Sequence, residues 1–130
     1  IATGRRQAYA TPLIDPVVEY THKDVGIAIV GGYVYQGTAL PALAGHYVFA
    51  DFTEQWVTQA PTGRATILVA DPQPSGVWPW RRLTLADGRI QAFITGMGQE
   101  ASGELVIMVR DTLGPTAGGT GRVLRLVAVP

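Results

Sequence analysis

The chain has 130 residues, ten Lys plus Arg against ten Asp plus Glu, 15% charged residues and no cysteine. That length fits one domain with a sizeable core. The balanced, sparse charge gives no electrostatic footprint for nucleic acid and no polybasic signal for a membrane surface, and the missing cysteine excludes disulfides, thiolate catalysis and thiolate metal sites.

In chain order, residues 1–20 contain Pro12 and Pro16, show little periodicity and read as an extended N-terminal arm. Residues 21–130 read as a single all-β domain. Sixteen glycines, nine prolines and many β-branched residues are spread so that short apolar runs alternate with turn signals. Strands are predicted at about 27–35, 46–52, 55–59, 66–70, 80–85, 90–96, 104–110 and 121–127. TALPALAG, 38–45, has room for one helical turn before Gly45 stops it, and DPQPSG, 71–76, is a proline-fixed loop. ADGR, 86–89, is an Asp-Gly turn joining the strand that ends near Leu85 to the one that begins at Ile90.

The run ELVIMV is apolar on both sides, with Leu105, Ile107 and Val109 facing one way and Val106 and Met108 the other. A sheet of such strands needs cover on both faces. In an all-β protein that means a sandwich, a filled barrel or stacked propeller blades. Eight strands joined mostly by short links predict a partial β-propeller of about two four-stranded antiparallel meander blades. No run of 18 apolar residues is present to cross a membrane. The chain opens on Ile1, which fits either a removed leader or a piece of a longer polypeptide.

Several segments in order, PVVEYTHKDVGIAIVGGYVY, LPALAGHYVFADF, WPWRRLTLADGRIQAF and GELVIMVRDTLGPTAGGTGRVLRL, resemble the C-terminal part of the glucose/sorbosone dehydrogenase family. The resemblance runs from about Asp15 to Leu126. Those soluble quinoproteins are six-bladed propellers that oxidise sugars or related alcohols with pyrroloquinoline quinone (PQQ), using a histidine from an early blade and calcium. The resemblance therefore implies two closing blades, and PQQ and calcium only as parts of a complete enzyme. Some members present arginines to the quinone from the last blade, whereas no arginine or lysine occurs between Gln91 and Leu105 here. No catalytic, cofactor or metal residue is carried over. In such a blade, the adjacent Gly31 and Gly32 fall on the innermost strand, where glycine allows a bulge or a close backbone approach.

Among candidate groups, His22 in YTHKD is a conceivable base or metal ligand but reads as a loop residue, and His46 reads as a strand-edge residue. Asp51 in FADF sits in an apolar strand, and its expected role is to accept backbone amides of an adjacent loop. GPTAGGTG, 114–121, lacks the Gly-Lys-Ser/Thr end of a phosphate loop and reads as an interstrand loop, and GMGQEASG fails the dinucleotide fingerprint at Ala101. WPWRR is the strongest partner-binding candidate: Trp78, Trp80, Arg81 and Arg82 are residue types enriched at interface hot spots. The competing reading packs both tryptophans inward and leaves both arginines solvated or ion-paired.

The functional expectation is a non-catalytic structural or interaction subunit that binds other protein subunits, with no nucleic acid, no direct membrane insertion, and docking on a membrane complex. The family's compartment implies a periplasmic location, as an accessory part of a respiratory or photosynthetic membrane complex. The alternative is a C-terminal fragment of a complete PQQ-dependent sugar dehydrogenase. A free-standing sugar-binding module, stacking sugars on Trp78 or Tyr33, ranks third.

Overall fold

The structure, a computed structural model, describes residues 12–55, 63–113 and 119–129. Among these residues are seven strands: β1 (Ile29–Val34), β2 (Tyr47–Asp51), β3 (Thr66–Ala70), β4 (Trp80–Arg82), β5 (Phe93–Gln99), β6 (Leu105–Arg110) and β7 (Gly121–Arg125). They form two antiparallel meanders in sequence order, β1-β2-β3-β4 and β5-β6-β7. The all-β class is as expected, and two successive meanders packed together are consistent with part of a propeller. Among the described residues the second sheet has three strands, one short of a full four-stranded blade and matching the three strands evident in the sequence from about 90 to 127. After β7 the amide of Leu126 still donates to the carbonyl of Leu105, and the chain then leaves the ladder.

The strand expected at 55–59 lies outside the described residues except for Gln55, which is in a bend. Residues 1–11 of the arm and 114–118 of the glycine-rich loop lie outside as well. The expected helical turn is a 3-10 turn, Pro41–Leu43, and Gly45 follows it with φ +78°. Asp87-Gly88 does make a tight turn, with Gly88 at φ +82° and Leu85 bridged to Gly88. Its flanks, however, do not pair into one hairpin. β4 belongs to the first sheet and β5 to the second, so the turn sits in the link between sheets, and the expected strand 90–96 is displaced to Phe93–Gln99.

The two sheets are covered unequally. β3, TILVA, is buried along its whole length between β2 and β4. One face of the first sheet gives Val48, Ala50, Ile67 and Val69 to a core shared with Ile94, Leu105, Ile107 and Val109 of the second. Its other face, Phe49, Leu68 and Ala70, is covered by Val18, Tyr20 and Val25 and by Trp78 and Trp80. The second sheet buries the face that carries Leu105, Ile107 and Val109, and at one end of the opposite face it buries Phe93, the partner of Arg110. Met108 and Val123, paired on its opposite face, are 36% and 68% exposed.

Across the seam, β5 lies chiefly against β1. The rings of Phe52 and Phe93 stack there with centroids 5.1 Å apart, a contact worth about 1 kcal/mol beyond burial. Main-chain bonds also cross it: the amide of Ile94 donates to the carbonyl of Phe52, and that of Ala65 to the carbonyl of Ala92, both at 3.2 Å.

Each inner strand carries one extra residue. Val30 and Tyr33 oppose Ala50 and Val48, which places the adjacent glycines in a bulge, and Ile94 and Gly96 oppose Val109 and Met108, which leaves Thr95 as the extra residue of β5. The two glycines of β1 differ in what they permit. A Cβ on Gly32 would lie 1.8 Å from the carbonyl oxygen of Val48, whereas one on Gly31 would meet nothing within 4 Å. Gly32→Ala is therefore expected to destabilise by roughly 2 kcal/mol or more through forced strand separation. Gly31→Ala should be neutral or stabilising by about 0.5 kcal/mol. Denaturant unfolding of the two variants checks the contrast.

Candidate functional site

Two buried carboxylates organise the molecule. Asp51, at the end of β2, is 0% exposed. Its Oδ1 accepts the backbone amides of Ile27 (3.0 Å), Ala28 (3.3 Å) and Thr53 (3.1 Å), and its Oδ2 accepts the hydroxyl of Tyr20 at 2.7 Å. This is the amide-accepting role expected from sequence. A carboxylate so enclosed has fixed donors on both oxygens, a geometry that holds a loop. Burial, followed by the bond to Asp51 and that carboxylate's charge, pushes the Tyr20 hydroxyl well above its ordinary pKa.

The second carboxylate, Glu104, was not singled out from the sequence. It precedes β6, is 8% exposed and reaches across to the β1–β2 connection. Oε2 accepts the Tyr35 hydroxyl at 2.7 Å, and Oε1 accepts the amides of Thr38 (2.9 Å) and Ala39 (3.0 Å). The Tyr35 oxygen in turn accepts the Leu40 amide at 2.9 Å. The bond from Tyr35, then the amides of Ala39 and Thr38 and the charge of Arg125, hold the carboxyl below its usual range against the opposing effect of burial. Burial, then the bond to Glu104, raises the Tyr35 hydroxyl. The two nodes are built alike: a tyrosine hydroxyl on one oxygen, and two consecutive amides just after a glycine on the other. A Cβ on Gly26 would sit 2.1 Å from Cγ of Asp51, and one on Gly37 would sit 2.4 Å from Oε1 of Glu104.

The WPWRR residues are all engaged within the chain. Trp78 Nε1 donates to the carbonyl of Gln73 (3.1 Å), and its ring meets Tyr47 edge-on. Trp80 Nε1 donates to the carbonyl of Glu19 (3.2 Å), and its ring meets Tyr20 with centroids 5.7 Å apart. Arg81 Nη1 lies 2.8 Å from Asp71 Oδ1, the same oxygen that His46 Nδ1 approaches at 2.8 Å. Arg82 Nη2 donates to the main-chain oxygen of Asp24 and stands 4.0 Å from Glu54. The two tryptophans thus hold the lead-in segment 17–25 against the first sheet. His22 is exposed, two residues beyond the Tyr20 of the Asp51 node.

Among the described residues, no group of three or more His, Asp or Glu is placed to hold a metal ion, and no helix is long and apolar enough to cross a membrane. No family model and no solved structure matches the chain. On this geometry the molecule is an all-β protein of two meander sheets, tied by tyrosine–carboxylate nodes.

Two measurements test these assignments. Glu104 is ionised more readily in the fold than in the unfolded chain, so its contribution is complete above the ordinary carboxylate range of about 4.3 and is lost as pH falls through its lowered folded value. Stability of Glu104→Gln should therefore depend less steeply on pH below about 4.5 than that of the wild type, read by urea midpoints across the acid limb. Separately, Trp80→Ala removes the ring that packs on Tyr20 and the donor to Glu19. Limited proteolysis should then cut near residues 17–25 at least tenfold faster, corresponding to a local loss of roughly 1.4 kcal/mol.

Proposed function

We propose that this chain is a non-catalytic interaction unit, two blades of quinoprotein type that complete, and are completed by, a larger protein assembly. The observation that carries the reading is the unequal cover of the two sheets. Among the described residues, the first sheet has its central strands covered on both faces, whereas the second has three strands, with Met108 and Val123 exposed on the face opposite Leu105, Ile107 and Val109. A sheet left in that state offers both an apolar surface and an edge able to accept another strand. Arg125, on the same side of β7 as Val123, is paired with Glu100, so charge borders the face without covering it.

The resemblance to the glucose/sorbosone dehydrogenase family supplies the setting: a periplasmic assembly, such as a respiratory or photosynthetic membrane complex, with this chain as an accessory subunit. The alternative reading meets the same open sheet with further blades of a complete PQQ-dependent sugar dehydrogenase. The native protein separates the two. A polypeptide of about 14 kDa by the sequence mass that migrates with a membrane complex supports the subunit. A much longer polypeptide that reduces a dye with sugar after addition of PQQ and calcium supports the enzyme.

For the subunit, Val123→Lys puts a charge in the middle of the bare face at a site already 68% exposed. Folding stability should change by less than about 0.5 kcal/mol while the variant no longer migrates with the complex on native gels. Unchanged migration would place the joining surface elsewhere.

A further inference from the structure

A cluster of charge stands apart from both carboxylate nodes. Three guanidiniums from separate stretches converge on Glu54, just beyond β2: Arg64 before β3, Arg82 on β4 and Arg89 after the Asp-Gly turn. The Glu54 side chain is 13% exposed, and the three arginines are 42%, 41% and 38% exposed. Only Arg89 is in close contact with the carboxylate. Arg64 Nε and Arg82 Nη2 both lie 4.0 Å from it, beyond hydrogen-bond reach. Arg64 Nε is a buried donor that meets no acceptor among the described residues. Buried donors are normally satisfied, and one left without an acceptor is costly.

Three positive charges against one negative leave an excess of two on this cluster. Guanidiniums are always charged, and each presents up to five donors in a planar fork suited to oxyanions. Like charges held together repel one another, and a further anion removes both the excess and the orphaned donor. A phosphate group carries about −1.5 to −2 at neutral pH and several strong acceptor oxygens, which matches the excess. We propose that Arg64, Arg82 and Arg89, arranged around Glu54, form a binding site for a phosphate group. Arg82 and Arg64 supply donors not used on Glu54, and Glu54 holds the guanidiniums in register. The site is independent of how the open sheet is completed.

The test is a titration of the intact protein with inorganic phosphate at fixed ionic strength, followed by calorimetry and by the side-chain Nε–H signals of the three arginines. Glycerol phosphate run in parallel distinguishes a free ion from a phosphate ester. Saturable binding that moves those signals, weakened at least fivefold in Arg82→Gln, is the expected result. Glu54→Gln raises the excess charge to three and should tighten binding several-fold even though it loosens the fold. Should that variant not fold, Arg82→Gln, altered at an exposed position on β4, decides alone. No saturable binding to the wild type, or equal affinity in wild type and Arg82→Gln, overturns the proposal.

Discussion

The bond between the Glu104 carboxylate and the Tyr35 hydroxyl is the buried polar link between the two sheets, beside the main-chain bonds that cross their seam. Apolar packing alone would let the sheets slide, because side chains such as Val48, Ile67 and Ile107 attract without direction. The carboxylate fixes the relation. It comes from the start of β6 and binds a tyrosine and two amides from the far end of β1 and the turn beyond it, about two-thirds of a hundred residues away in sequence. Its environment is low in water, so each donor counts for more than on the surface, and each also becomes costly to remove. Asp51 does the same work one layer out, binding the lead-in segment to the end of β2.

Both nodes depend on absent side chains. Two successive amides can point at one carboxylate oxygen only where the chain passes close to it, and Gly26 and Gly37 stand at the closest points. Burial of a charge is therefore made tolerable by backbone geometry and by a neutral hydroxyl, with little help from opposite charge. The arginines are used otherwise, in ion pairs near the surface, as with Arg81 on Asp71 and Arg122 on Asp111. Such exposed pairs add little to stability. They do place guanidinium donors along the rims of both sheets.

Much of this was legible in local sequence and the rest was not, for identifiable reasons. The strands of TILVA and LVIMVR follow from β-branched and apolar runs between turns, and the amide-accepting role of Asp51 follows from the difficulty of placing a carboxylate in FADF. The same reasoning applied to the glutamate of GELVIMV would have found Glu104, which also abuts a strand apolar on both faces. Its partners lie too far along the chain for any local pattern to name them. The Asp-Gly turn shows the opposite failure. The turn chemistry was right and its consequence was not, since a tight turn does not say whether its flanks enter one sheet or two. The cluster at Glu54 gathers three separate stretches, whereas the hot-spot composition of WPWRR is visible in a single window.

The cover that segment 17–25 gives to the first sheet bears on which apolar faces the chain leaves open. An all-β unit with two open faces can stack head to tail without limit. Here one end is closed by the chain's own Val18, Tyr20 and Val25, while the other retains Met108 and Val123. With that cover drawn from the chain's own lead-in segment, Phe49, Leu68 and Ala70 of the first sheet are buried without help from another chain, while Met108 and Val123 of the second stay open to solvent among the described residues.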